Sequence, residues 1–191
     1  DARGFPGEAA GIALGTPSGE NLYLPLPPAS EELCEALSLL SSLFSGGALK
    51  ICSDLKTGCL LLGEGILHPA EKWFDISLSD YLLEPDSSRH DVSDVAARHL
   101  SSAVPSPEDL LGKGVKARTF ASIPPSEIAP WAALRTQALL QLQPAMAPLL
   151  AEANLTALLT EIETPLSVIL ARMEREPRHL PKRPADPVKT P

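Results

Sequence analysis

Aromatic residues make up only 4% of this chain, so any core must be packed by Leu, Ala, Ile and Val rather than by large rings. Cysteine is equally sparse. Cys34, Cys52 and Cys59 are odd in number and form no C-x-x-C pair, which argues against a disulfide framework or a zinc site and predicts buried, reduced thiols. His68, His90, His99 and His179 are scattered without metal-ligand spacing. No stretch approaches the roughly 18 uninterrupted apolar residues of a membrane helix, and the opening Asp1-Ala2-Arg3-Gly4 does not resemble a signal peptide. The expectation is a soluble, cytoplasmic protein with no membrane partner. Positive charge is also scarce. Residues 1–171 carry ten Lys and Arg against twenty-one Asp and Glu, a balance of −11, and the other six of the sixteen basic residues fall in the last twenty positions. Tight general binding to a phosphate backbone requires basic patches, so the composition predicts weak or no DNA binding by this chain alone.

What is present is enough apolar material for one ordinary domain, 44% hydrophobic against 21% charged over 191 residues. Two short apolar runs, 9–14 and 21–26, flank Thr16-Pro17-Ser18-Gly19 and read as a hairpin. Ser30 can cap a helix over 31–44 in which Leu33, Leu37 and Leu40 recur at helical spacing. Gly46-Gly47 precedes a third strand at 48–53, and a short helix over 54–62 is closed by Gly63 and Gly65. Further helices are expected at 77–83 and 91–100, then a Ser-, Pro- and Gly-rich loop over 101–118. Two long helices follow, about 126–142 and 149–174, with Pro144 and Pro148 at their junction. The proline-studded end, 176–191, reads as an extended or disordered tail. Strands early, helices late and a helix between strands indicate an α/β domain.

Several tempting constellations have plainer readings. Gly112-Lys113-Gly114 lacks the rest of a P-loop and reads as a surface turn. Asp80, Asp86, Asp91 and Asp94 lie across two helices and a proline break, as solvated faces and caps rather than a calcium loop. His90-Asp91 closes a loop and caps the helix at 91–100, and His99 packs at the core edge. No strand–turn–helix elbow presents a serine nucleophile, and Glu161 and Glu163 project to different helix faces.

Three segments, in order, carry a family resemblance. WFDISLSDYLLEPDSSRHDVSDVAARHL (73–100) matches an aspartate opening a helix, then Y-L-L-x-P, then H-D and a helical A-x-x-x-L run. LLGKGVKARTFASIPPSEIAPWAALRTQALLQL (110–142) matches a G-K-G loop, a T-F, and a helix with A-A and L-Q-L. EIETPLSVILARMERE (161–176) is similar to an E-x-P-L-x-x-(h)-L-x-x-M-E helix. Together they resemble the 3′-5′ exonuclease-like, proofreading domain of bacterial family A DNA polymerases, the DNA polymerase I family, over most of 9–176. That resemblance implies an RNase H-like, DnaQ-like fold, a mixed sheet flanked by helices. It implies an exonuclease-like domain over 1–152, a helix over 153–175 like the one that opens the polymerase domain, and a tail over 176–191. The partner it implies is the polymerase domain of the same parent chain, in DNA replication and repair.

In active relatives such a domain removes mismatched 3′ nucleotides with two divalent metals about 4 Å apart, held by carboxylates. The first two come from a D-x-E on the first strand. No D-x-E occurs here before the third strand, and aligning Asp1 with its aspartate leaves Arg3 at its glutamate. The third maps onto Asp75, whose alternative reading is an N-terminal helix cap. The fourth belongs to a helix with Tyr, three residues, then Asp. Matching A-A and L-Q-L to Ala132-Ala133 and Leu140-Gln141-Leu142 puts Trp131 at the tyrosine and Arg135 at the aspartate. A guanidinium cannot ligate a metal cation. The expectation is therefore a vestigial, structural domain with no metal cofactor and no catalytic residue. The alternatives are a working proofreading nuclease, with Mg²⁺ or Mn²⁺ held by other ligands, and a protein–protein adaptor that uses the basic proline-rich tail.

Overall fold

The computed structural model describes residues 9–26, 31–67 and 72–175. Asp1, Arg3, the Ser30 cap, His68 and the tail at 176–191 lie outside the described residues.

The chain opens with an antiparallel hairpin, β1 (Gly11–Gly15) and β2 (Asn21–Pro25), with Gly11 opposite Pro25 and Gly15 opposite Asn21. Gly19 at the turn has φ +91°, a conformation that costs glycine little. Gly11 is needed for a different reason, because the Tyr23 ring lies where a Cβ would stand. Helix α1 (Glu31–Phe44) follows, then strand β3 (Lys50–Cys52) and helix α2 (Leu55–Leu62). Asp54 caps α2 by accepting from Thr57 N–H at 2.9 Å. A single turn, α3 (Glu64–Leu67), contains Gly65, so Gly63 alone closes α2.

Strand β4 (Trp73–Asp75), which the sequence pattern did not separate from the next helix, pairs in parallel with β3, Cys52 opposite Asp75. It runs directly into α4 (Ile76–Leu83), and α5 (Val92–Leu100) follows a loop. The described residues thus form two two-stranded sheets flanked by helices, a mixed α/β arrangement.

The loop expected over 101–118 contains a helix, α6 (Pro107–Leu111). Ser106 and Asp109 form a capping box, and Pro107 takes the first helical position, where its missing N–H is not required.

The expected break at Pro144 and Pro148 does not occur. Helix α7 runs unbroken from Pro125 to Glu152 with three prolines inside. The two late prolines sit on its exposed side. Leu142, Met146 and Leu150, four residues apart, are fully buried on the other side. Burial of each stabilises by about 1.5–3 kcal/mol, enough together to offset an interior proline cost of about 3 kcal/mol each. The helix ends where a left-handed residue is available. Asn154 has φ +59°, its N–H reaches Ala151 O, and Leu155 N–H reaches Leu150 O, a Schellman closure. A π-helical turn over Leu158–Glu163 leads into α8 (Thr164–Arg175).

The main core gathers Ile76, Val92, Val95 and Ala96 from α4 and α5 against Ala138, Leu142, Met146 and Leu150 of α7. A second joins α2, β4 and α8 through Leu55, Cys59, Trp73, Val168 and Ala171. A third seats the hairpin on the start of α7 around Ile128 and Ala132. The hairpin is also tied to α7 by Thr136 and Gln137, which both donate to Asn21 Oδ1. All three cysteines are free, but Cys34 is exposed on α1 rather than buried. No helix among the described residues is long and apolar enough to cross a membrane.

Candidate functional site

Asp75 is the last residue of β4 and the cap of α4, so strand geometry and helix geometry meet at its Cα. Its side chain is 1% exposed. Oδ1 accepts from Leu78 N–H at 3.0 Å, the ordinary N-cap bond of α4. Oδ2 accepts from Leu55 N–H, the first residue of α2, at 2.7 Å. One carboxyl therefore closes the N-termini of two helices. Burial pushes this carboxyl up to about 7, against the pull of those two N–H donors. Asp75 also lines a cleft of about 280 Å³ between α4 and α8, together with Asp54, Tyr81, His90, Glu163 and Leu170.

Trp131 and Arg135 do not line that cleft. One helical turn apart on α7, they face the loop before α6. Trp131 Nε1–H donates to Ser106 O at 3.0 Å, and its ring stacks at a tilt on Phe120, centroids 5.5 Å apart. The Arg135 guanidinium lies 5.0 Å from the Trp131 ring centroid. It makes a bidentate pair with Asp91, Nη1 to Oδ1 at 3.0 Å and Nη2 to Oδ2 at 2.7 Å, and Nη1 also donates to Pro105 O at 2.9 Å. Asp91 caps α5 by accepting from Ser93 N–H and Ser93 Oγ–H. Burial alone would raise the Asp91 carboxyl. The Arg135 bonds, the Ser93 bonds and the Arg135 charge outweigh it and hold the group at about 2.

Asp80 was expected on a solvated face and is instead fully buried. Arg98 Nη2 and His90 Nδ1 meet its Oδ2, while Arg98 Nε and His99 Nε2 meet its Oδ1. Burial would raise this carboxyl, and the three partners bring it below the usual range. The Arg98-His99 pair on α5, with His90 just ahead of that helix, was the available signal that a carboxylate stood opposite. Ser77 Oγ–H donates to His90 O at 2.8 Å, which fixes the loop to α4. Asp91 and His99 otherwise behave as expected, as helix cap and core-edge side chain.

Glu163 reaches the cleft while Glu161 is exposed, and Lys113 pairs with exposed Glu108 at 3.1 Å. Among the described residues no three His, Cys, Asp or Glu side chains converge in a way that could hold a metal ion.

Residues 7–142 match the family described as DNA polymerase I, ribonuclease H-like domain. The chain is 30% identical over 178 residues to DNA polymerase I of Pseudomonas aeruginosa, covering 88% of this chain and 20% of that protein. It is 39% identical over 101 residues to DNA polymerase I of Geobacillus stearothermophilus, covering 53% of this chain and 11% of that one. The chain thus spans a fifth or less of these relatives. Two solved structures share the fold. The POL domain of Pol1 from M. smegmatis, in complex with DNA primer-template and dNTP, superposes with TM-score 0.61 at 22% identity, over 87% of this chain and 25% of that one. A nuclease in its apo form superposes with TM-score 0.64 at 12% identity, over 86% of this chain and 75% of that one. The RNase H-like architecture and the extent of the match together mean that this chain belongs to the ribonuclease H-like, exonuclease-like domain family of DNA polymerase I.

Proposed function

We propose that this domain is a vestigial exonuclease that serves a DNA polymerase I-type enzyme as a structural module in DNA replication and repair, in the cytoplasm, without nuclease or polymerase activity of its own. The observation that carries this reading is the state of Arg135. At the place where the family pattern has a metal-binding aspartate stands a cation. It is neutralised by Asp91 and tied to Pro105 O. A metal brought there would meet a positive charge rather than a ligand.

The Asp75 environment supports the same reading. Both of its oxygens are occupied by backbone N–H groups, and burial favours its neutral form. A carboxyl that ligates a metal does so in its ionised form. Asp54 and Glu163 line the same cleft, but among the described residues no three His, Cys, Asp or Glu side chains come together there as a metal site would need, so the residues around Asp75 do not fit a two-metal centre. Trp131, at the place of the family's tyrosine, has no hydroxyl, and its one polar hydrogen is given to Ser106 O.

The partner in this reading is the polymerase body of the same parent chain. In the M. smegmatis structure, the polymerase-domain chain contains this fold over a quarter of its length. The test is degradation of a 3′-labelled single-stranded oligonucleotide with Mg²⁺ and then Mn²⁺, beside Asp75→Asn. No shortening above that control is expected. Shortening that Asp75→Asn abolishes would instead establish a working proofreading nuclease with ligands outside this account.

A further inference from the structure

Helix α1 shows the solvent a face that a surface helix does not usually show. Its packed side carries Leu40, which is buried, and Phe44, which lies at a tilt on Trp73 of the second core. At about 100° per residue, Glu32, Glu35, Leu39 and Leu43 fall within a separate sector of roughly 80°. All four are exposed, Leu39 by 75% and Leu43 by 60%. A surface helix turns its leucines to the core and its charges to water; here two leucines continue the charged stripe. α1 contains three glutamates and no basic residue. Two copies of the helix meeting face to face would set like charges together, so the stripe suits a basic cover.

Such a cover exists in the same chain. Residues 176–191 hold Arg178, Lys182, Arg183 and Lys189 against Glu176 and Asp186, with five prolines. They begin close to α1. Arg175 Nη1 lies 3.1 Å from where a Cβ on Gly63 would stand. Gly63 leads into α3, which packs on α1, and Ser41 Oγ–H of α1 donates to Gly65 O at 3.3 Å.

We propose that the basic, proline-rich segment 176–191 folds back on its own domain and covers this stripe, running antiparallel to α1. Leu180 packs on Leu39 and Leu43, while Lys182 and Arg183 meet Glu35 and Glu32. The spacings agree. Leu39 to Glu32 is about 10 Å along a helix, and Leu180 to Arg183 spans about 9 Å of extended proline-rich backbone. Prolines fix that extended form in advance, so docking loses less conformational entropy. The contact is independent of the nuclease reading.

The experiment uses the 191-residue chain with a nitroxide on Cys34, the exposed thiol of α1. Cys59 is buried, and burial pushes the Cys52 thiol well above its ordinary range, so labelling favours Cys34. The amide signals of Leu180, Lys182 and Arg183 should weaken at least about twofold against the reduced label, and recover as salt is raised. Glu35→Lys or Leu39→Glu should abolish the weakening. Lys182→Glu with Arg183→Glu should restore it in the Glu35→Lys background. These positions are on the surface or in the segment itself, and unchanged amide signals of the core verify each fold. Undiminished signals in the parent chain would overturn the proposal, as would weakening that survives both α1 substitutions. Weakening of an unlabelled chain by a second, nitroxide-bearing one would assign the contact to another copy and overturn it as well.

Discussion

At Asp75 a carboxyl is present and both its oxygens are held by backbone N–H groups of α4 and α2; at Arg135 a guanidinium occupies the other conspicuous position and is held by Asp91 and Pro105 O. In the proposed correspondence these two places serve one purpose in active relatives, and here each is stabilised by a different kind of interaction. Asp75 works through burial and helix capping, where the neutral carboxyl suffices. Arg135 works through a partly buried charge pair, where ionisation is essential. On the proposed reading, the difference teaches how a catalytic position can survive as architecture. A carboxylate that already caps a helix can persist for its cap, whereas one whose only task was to hold a metal is free to be replaced by whatever its neighbours accept.

The comparison is tested most severely by Asp75→Ala. It strips the acceptor from two N–H groups at buried helix starts, each costing about 1–3 kcal/mol when left unmade. A loss of about 3 kcal/mol in urea unfolding at pH 5 is expected, and a loss under 1 kcal/mol would mean that Asp75 is not the double cap described here. Arg135→Asp comes next. It places a second carboxylate against Asp91, whose partial exposure screens the repulsion, so about 2 kcal/mol is expected. Unfolding with and without 5–10 mM Mg²⁺ (about that range suffices for weak carboxylate sites) separates two outcomes. Destabilisation unaffected by Mg²⁺ supports a rebuilt, structural position. Rescue by Mg²⁺ would show that the metal site is one residue away from return.

The two places should also respond to pH in opposite senses. Asp75 is raised from 3.8 to about 7 in the folded protein, so its contribution is complete below about pH 4 and is lost as pH rises through 7. Asp91 is lowered from 3.8 to about 2, so its contribution is complete above about pH 4 and is lost as pH falls toward 2. Stability plotted against pH should therefore decline on both sides. Asp75→Asn, which cannot ionise but keeps only one acceptor oxygen, should flatten the neutral limb while lowering stability at all pH values by the lost cap bond, and Arg135→Ala should weaken only the acid limb. If Asp75→Asn leaves the neutral limb intact, the burial of Asp75 is not its cause.

Much of this was legible before any coordinates. The helix caps at Asp75 and Asp91, though not Asp54, which reads as part of the helix it caps, could be read because a cap is a local bond, made within three residues of itself. The same holds for the β1–β2 hairpin and the turn between its strands. Most of what was missed depended on partners distant in sequence; helix α6 is the exception, since its Ser106–Asp109 capping box is local. Asp80 reads as a solvated helix position until Arg98 and His99, a whole element later, fold over it. Strand β4 is three residues long, and only its pairing with β3 distinguishes it from the approach to α4. Pro144 and Pro148 read as a break because local cost favours one; packing of Leu142, Met146 and Leu150 against α4 and α5 decides otherwise. In the proposed correspondence Trp131 and Arg135 stand where the resembled pattern has Tyr and Asp, which sequence alone suggests, but the Asp91 pair that holds Arg135 spans 44 residues and was not legible there.

The smallest predicted effect sharpens the contrast between the two regions. Around Arg135 the polar hydrogens find acceptors, including Trp131 Nε1–H on Ser106 O. Beside the Asp75 cleft, at the start of α8, the Thr164 hydroxyl is buried without a hydrogen-bond partner among the described residues. It follows directly on the π-helical turn that ends at Glu163, where the displaced carbonyl ladder withholds the acceptor that a helical threonine usually finds one turn back. Thr164→Val keeps the shape and removes the orphaned group, so a gain of up to about 1 kcal/mol is expected. Equilibrium unfolding of the two forms under one buffer measures it. A loss of similar size would mean that a water or a partner satisfies the hydroxyl, and that the α8 side of the cleft is as fully bonded as the Arg135 side.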